Sequence, residues 1–229
     1  MSVEKEILIN GYTHVLYNSE SFTEAESIAK SEAFYNWIDT RRSVREYSSQ
    51  PIAKTVIENI IKAASTAPSG AHKQPWTFCA ISNAELKTQI RQAAEVEERE
   101  TYAKRMSDRW KADLAPLGTD TNKPFIEDAP WVIVAFKRVY EHEDNIKHNN
   151  YYVNESIGIA CGMLISAIHN AGLVTLTHTP SPMNFLAKLL ERPSNERAFL
   201  LLPIGYPKQP AYVPDLHRKP LEEVAVFYE

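Results

Sequence analysis

Arg41, Arg42, Ser43 and Arg45 place three guanidiniums and a hydroxyl within five residues, and Arg218 with Lys219 forms a second basic pair far along the chain. A guanidinium is a planar fork that meets phosphate oxygens two at a time, and a serine hydroxyl adds a donor, so the set suits a dianionic phosphate. The plainer alternative is a solvated basic face at a helix exit, where arginine also complements the helix dipole. A second set is acidic: the tract Glu95, Glu97, Glu98, Arg99 and Glu100, followed by Tyr102. Glu98 and Tyr102 are four residues apart, one face of a helix. Spacing alone leaves open which carboxylate of the tract, Glu97, Glu98 or Glu100, turns the same way.

Between these sets, Ala67, Pro68, Ser69, Gly70, Ala71 and His72 form a small-residue turn. Bare backbone N–H groups there can approach a flat ligand or an anion, although an ordinary helix-to-strand connection would look the same. His72, His178 and His217 lack the spacing of a metal site, and structural or solvent-exposed roles are expected of them; no metal is expected. His142 and His148 read as surface loop. The chain has no Walker loop, Rossmann fingerprint, nucleophile elbow or cysteine in a basic setting, so nucleotide binding by those routes and covalent hydrolysis are excluded.

With 25 basic and 29 acidic residues the formal charge is −4, which excludes nucleic-acid binding driven by bulk charge. The two cysteines, Cys79 and Cys161, lie in apolar runs and build neither a disulfide framework nor a zinc site, as expected of a reduced, cytoplasmic protein. No run is long and apolar enough to span a bilayer, so neither processing nor a membrane is expected.

The elements that must position these residues follow from periodicity. A capping box at Ser21 to Glu24 opens a helix with Ile28, Phe34, Trp37 and Ile38 on a stripe, ending near Arg41. Ile52 to Ala64 has amphipathic helical spacing. Trp76 to Ile81 and Trp131 to Phe136 are too apolar to alternate and read as strands covered on both faces. Ala84 to Leu114 reads as a charged helix. Glu95 to Asp128, interrupted by Pro116, Gly118 and Pro124, reads as a surface lid rather than core. Ser156 to Asn170 is the central helix, with Gly158 and Gly162 permitting close helix contact. Val174 to Thr177 and Phe199 to Ile204 are strands flanking a short helix, Phe185 to Glu191. The β-prone end of 214–229 would pair with another subunit. The class is α/β (α+β), a central mixed sheet covered by helices, with residues 1–40 a helical extension and 41–229 the main domain.

RRSVR at 41–45, APSGAHKQPW at 67–76, NAGLVTLTHTP at 170–180, LLPIGYP at 201–207 and VPDLHRKP at 213–220 resemble the nitroreductase superfamily of FMN enzymes, and within it the iodotyrosine deiodinases. The resemblance runs from about Arg41 to Pro220 and includes the lid. It implies a nitroreductase-like fold, an intertwined homodimer and FMN as cofactor. Arg41, Arg42, Ser43 and Arg218 would hold the phosphate and ribityl chain, Arg45 the N1 and O2 edge. Thr177 and Thr179 would lie beside the ring, with the Thr179 hydroxyl donating to N5 and favouring one-electron steps. Pro68, Ser69 and Gly70 would come from the partner subunit. Glu98, Tyr102 and Lys123 would grip the amino-acid end of a halotyrosine, its phenolate resting on the Ala71 amide. The implied activity is reductive dehalogenation of halotyrosines, with NAD(P)H or a reductase as electron source; a general nitro- or quinone reductase is the alternative. A third possibility is a flavin-binding dimer that senses an aromatic amino acid without turnover.

Overall fold

A computed structural model describes residues 5–144 and 146–229. Contacts divide the chain into two units, Met1–Thr40 and Arg41–Glu229.

In the first unit, strands β1 (Glu6–Ile9) and β2 (Tyr12–Val15) form an antiparallel hairpin with Ile9 opposite Tyr12. Asn10 and Gly11 make its turn at φ 52° and 85°, the left-handed pair that Asn-Gly supplies cheaply and that matches strand twist. Helix α1 (Glu24–Asp39) is capped by Thr23, not Ser21: Glu26 Oε2 accepts the Thr23 N–H at 2.8 Å while Thr23 Oγ1 accepts the Glu26 N–H at 3.3 Å. The later box puts both Glu24 and Glu26 at the positive helix end, which the earlier one cannot do. None of the residues of α1 is buried, so Ile28 and Phe34 remain exposed.

In the second unit the sheet order is β3 (Trp76–Ile81), β4 (Trp131–Arg138), β8 (Glu196–Gly205), β7 (Val174–Thr175). These strands pair antiparallel, and a parallel bridge between Ser43 and Thr175 gives the sheet its mixed character. The unbroken apolar run of β4 is explained by two cores. Ile133 and Ala135 face α2 (Lys54–Ser65) and α6 (Val153–Asn170), while Val132, Val134 and Phe136 face α3 (Ala84–Glu100), α5 (Phe125–Asp128) and α7 (Asn184–Leu189). All five β4 side chains are fully buried. Removing most of one such side chain, as in Leu202→Ala on β8, costs about 2–5 kcal/mol.

Several expectations are corrected. The charged helix does not run unbroken to Leu114: α3 passes into a π turn at Thr101–Arg105, Met106 is extended, and Ser107 caps α4 (Asp108–Leu114) by accepting the Trp110 N–H at 3.2 Å. A left-handed Gly118 ends the turn that follows. The surface excursion stops short of Asp128, because Lys123, Phe125 and Ile126 are buried. His142 and His148 belong to a hairpin of β5 (Tyr140–Glu143) and β6 (Ile146–Asn149), not to loop. Among the described residues, nothing beyond the adjoining turns of α6 itself comes within 4 Å of a Cβ placed on Gly158 or Gly162, so no other described helix uses the space they leave. The tail carries a short helix, α8 (Leu221–Val224), and leaves Val226, Phe227 and Tyr228 exposed without strand pairing. Among the described residues no helix is long and apolar enough to cross a membrane, and no cluster of metal ligands occurs.

Candidate active site

The strand edge Ser43–Thr175 fixes the basic end of the site. The Val44 N–H donates to Thr175 O at 3.2 Å, and the buried Tyr47 hydroxyl donates to Val44 O at 2.9 Å and Pro203 O at 3.2 Å. This segment is thereby tied to β7 through Val44 and to β8 through Tyr47. Gly205 lets the Tyr47 ring lie flat on β8, since a Cβ there would meet Tyr47 Cδ1 at 2.8 Å and Pro130 Cδ at 2.9 Å. Arg42 is held by the Pro214 carbonyl, and Arg218 Nη2 donates to the Arg41 carbonyl at 3.0 Å. Burial, then the charges of Arg218 and Arg42, push the Arg41 guanidinium below its ordinary pKa. Three cations thus crowd one space, an arrangement that an anion relieves.

That space is one end of a cavity of about 510 Å³ lined by Arg41, Arg42, Ser43, Arg45, Arg218, Thr177 and Thr179. The same cavity is also lined from α3, the π turn, α4 and the 119–123 loop, with Glu98, Tyr102, Trp110 and Lys123. The volume suits a bound small molecule. Glu98 is the one carboxylate among the lining residues: Glu97 pairs with Arg105 at 3.2 Å and Glu100 with Lys104 at 2.9 Å, so the register of the acidic tract is set by partners outside the cavity. Glu98 Oε2 lies 3.6 Å from Lys123 Nζ, with side chains 13% and 4% exposed. Lys123 Nζ also donates to Thr119 Oγ1 at 3.1 Å and to the Asp120 carbonyl. Burial raises the Glu98 pKa against the attraction of Lys123, and burial lowers that of Lys123 against Glu98 and Asp120. Burial thus opposes the charge on both partners, and their 3.6 Å separation is longer than the ~2.8 Å of a tight charged hydrogen bond. Tyr102 donates to Thr119 O at 3.2 Å, and burial, then Glu98 and Asp120, raise its phenol pKa.

Pro68, Ser69, Gly70 and Ala71 are not brought to this cavity. Ser69 Oγ accepts the Gln74 N–H at 2.9 Å, and the Gly70 N–H donates to Ser156 Oγ at 3.3 Å. Gly70 is needed for packing, since a Cβ would meet Tyr151 O and Tyr152 Cδ2 at 3.0 Å. Ala71, His72 and Gln74 all have φ between 46° and 54°, and such concentrated backbone strain belongs at functional loops.

Several wall residues were missed in the sequence, among them Thr101, Met106, Phe125, His217 and, with the most chemistry, His178. His178, expected to be structural or exposed, is buried in the cavity wall, its ring edge-on to Phe125 at 5.5 Å and its Nε2 3.9 Å from Glu98 Oε1. Burial, with Lys123 and Arg45 nearby, pushes its pKa down to about 3. Thr177, His178 and Thr179 alternate exposed, buried, exposed, which turns the imidazole inward between two outward hydroxyls.

Compared with known proteins, residues 38–206 match the nitroreductase family. The chain belongs to the nitroreductase family. Within that family its likeness is to the iodotyrosine deiodinases. It is 57% identical to the one from Haliscomenobacter hydrossis over 93% of this chain and 96% of the relative. Against the Homo sapiens protein the identity is 44%, covering 93% of this chain and 74% of the relative. A crystal structure of oxidized iodotyrosine deiodinase bound to FMN and 3-iodo-L-tyrosine superposes with TM-score 0.75 at 30% identity, over 85% of this chain and 98% of the other. A nitroreductase with bound FMN from Bacteroides fragilis shares the fold at TM-score 0.63 and 19% identity, over 85% of this chain and 97% of that one.

Proposed function

We propose that this chain catalyses FMN-dependent reductive dehalogenation of halotyrosines, releasing halide and tyrosine. One observation carries the reading: a buried carboxylate–ammonium pair, Glu98 and Lys123, 3.6 Å apart, lines the same cavity as a cluster of arginines. A zwitterionic amino-acid group can separate that pair and satisfy both members, whereas a simple nitroarene cannot.

The residues present fit FMN. The crowded guanidiniums of Arg41, Arg42 and Arg218 with the Ser43 hydroxyl are donors for a phosphate dianion, and the exposed Thr177 and Thr179 present hydroxyls on the same wall. Arg45 would lie at the N1 and O2 edge and Thr179 at N5. When bound and reduced, FMN supplies the two electrons of the reaction. A second copy of the chain would bring Pro68, Ser69 and Gly70 to the flavin and the Ala71 N–H to the phenolate. The exposed face of α6 around Gly158, Ile159 and Gly162 and the apolar tail support such a homodimer. In this reading 1–40 is an extension, 41–229 the flavin domain, the part of 95–128 before the buried Lys123 the lid, and 214–229 the exchanged tail. The free thiols of Cys79 and Cys161 support a cytoplasmic location.

At the substrate, Glu98 accepts from the ammonium, Lys123 exchanges Thr119 and Asp120 for the carboxylate, and Tyr102 bonds beside them. Each charge-assisted bond contributes about 1.5–3 kcal/mol once water is excluded. Met106, Trp110 and Leu114 supply an apolar cover for the ring, which aligns the halogen-bearing carbon with the flavin. In balance, the carbon–halogen bond breaks, halide leaves with its electron pair, the ring carbon takes a proton, and a donor such as NAD(P)H or a reductase replaces the two electrons.

The test is iodide release from iodotyrosine by the anaerobically reduced dimer, for the native protein, Glu98→Gln and Lys123→Ala. Loss in both variants with nitroarene reduction retained is expected. Equal iodide release in all three overturns the lid assignment, and none in the native protein overturns dehalogenation.

A further inference from the structure

The His178 imidazole is fixed but unsatisfied. Its backbone is locked to the central strand, its N–H donating to Leu201 O at 2.9 Å and its carbonyl accepting the Leu201 N–H at 3.0 Å. Its side chain is only 8% exposed, and Nε2 has no hydrogen-bond partner. The 3.9 Å between Nε2 and Glu98 Oε1 is too long for a direct hydrogen bond. It is close to the span of two acceptors sharing one donor: a nitrogen ~2.8 Å from each, at the tetrahedral angle, holds them ~4.6 Å apart. Adjustment of well under ~1 Å on the Glu98 side chain closes that difference. Burial first, then Lys123 and Arg45 nearby, disfavours a proton on the ring, and a neutral imidazole offers one nitrogen lone pair.

We propose that His178 Nε2 and Glu98 Oε1 together receive the α-ammonium of the substrate, His178 serving as a neutral acceptor with its ring proton on Nδ1. The proposal rests on the reading of Glu98 and Lys123 given above. Glu98 supplies charge, which many cations would satisfy. His178 supplies direction, since its lone pair is held by the strand and by Phe125. The consequence is specificity for a free amino group over des-amino and N-blocked analogues, because only an ammonium with two protons to spare reaches both acceptors.

The test uses the oxidised FMN-loaded enzyme and calorimetric binding of 3-iodotyrosine against its des-amino analogue, 3-(3-iodo-4-hydroxyphenyl)propionate. His178→Phe keeps a ring against Phe125 and should reduce the preference for iodotyrosine by about 10- to 100-fold, the worth of one hydrogen bond to a charged group. His178→Gln, which retains an acceptor, should restore part of it. If both ligands weaken equally in His178→Phe, the residue is structural and the proposal fails. If Glu98→Gln abolishes the preference and His178→Phe does not, only the role of His178 falls. If neither alters it, the reading of the lid falls as well. Nitrogen-15 NMR of the native enzyme provides a readout independent of folding of the variants. Nε2 should be unprotonated and should shift with iodotyrosine but not with the analogue; a protonated Nε2 overturns the proposal.

Discussion

Glu95 Oε1 accepts the backbone N–H of Lys123 at 2.8 Å, and the same oxygen accepts Arg91 Nε at 2.8 Å. Arg91 in turn pairs with Glu127 at 3.0 Å. A carboxylate on α3 therefore anchors the loop that delivers Lys123, one helical turn before Glu98 on the same helix. Burial alone would raise the Glu95 pKa; the Lys123 N–H and the Arg91 fork outweigh it and hold the carboxyl below its ordinary range. Glu95→Ala should free the 119–123 loop and raise the KM for iodotyrosine about 10- to 100-fold, by the ~1.5–3 kcal/mol of a charged hydrogen bond, with a smaller fall in kcat. Steady-state iodide release checks this, and an unchanged KM would show that the loop needs no anchor.

Gly205→Ala should damage the flavin end without touching it. Tyr47 cannot yield to the new Cβ, because its ring is buried and its hydroxyl is held by Val44 O and Pro203 O. Overpacking of this kind costs about 1–3 kcal/mol, or ~2–4 °C in Tm per kcal/mol for a chain of this size. Val44 lies between Ser43 and Arg45, so FMN should also be lost more readily on dilution. A thermal melt and the flavin absorbance retained after gel filtration measure the two effects.

Gly162→Leu separates a structural need within one chain from a need between two. Inside the chain the site is open, and leucine is the better helix former by several tenths of a kcal/mol. If the exposed face of α6 meets a second copy, leucine there should yield a folded monomer that binds FMN poorly. Light scattering after gel filtration reads the outcome, and an intact flavin-loaded dimer would remove α6 from the interface.

The two-core sheet was legible because β4 is apolar throughout Trp131–Phe136 and β8 throughout Phe199–Ile204, and α2 because Ile57, Ile60 and Ala64 keep helical spacing. The arginine cluster announced itself by residue type. Other features failed for physical reasons. The Asn10-Gly11 turn was a strong local hairpin signal, but the strands beside it bury nothing and so lack the apolar alternation that draws attention. The π turn depends on tertiary ties, Thr101 Oγ1 and Arg105 Nη1 to Ser181 O at 3.2 and 2.8 Å, that periodicity cannot see. His178 looked bland because a lone histidine in sequence says nothing of the carboxylate that α3, some 80 residues earlier, sets beside it.

The pH dependence of ligand binding follows from Glu98 and Lys123. Binding a zwitterion requires the carboxylate ionised and the amine protonated. Burial raises the first pKa and lowers the second, each against the partner's charge. The acid limb of iodotyrosine affinity should therefore begin at higher pH than the ~4.3 of an ordinary glutamate, and the Lys123 limb below the ~10.4 of an ordinary lysine. His178, with its pKa pushed down to about 3, should add no inflection near neutrality. Stability of the ligand-free protein runs the other way. A carboxyl whose folded pKa lies above its unfolded value binds more protons when folded, so Glu98 favours the native state below the unfolded value and that contribution is lost as pH rises through the folded one. Acidification across this window should thus weaken iodotyrosine binding while removing a cost of folding at Glu98, and Glu98→Gln should abolish both responses. Calorimetric affinities and urea midpoints across the same pH series decide it; an acid limb that survives in Glu98→Gln would place the titrating group elsewhere.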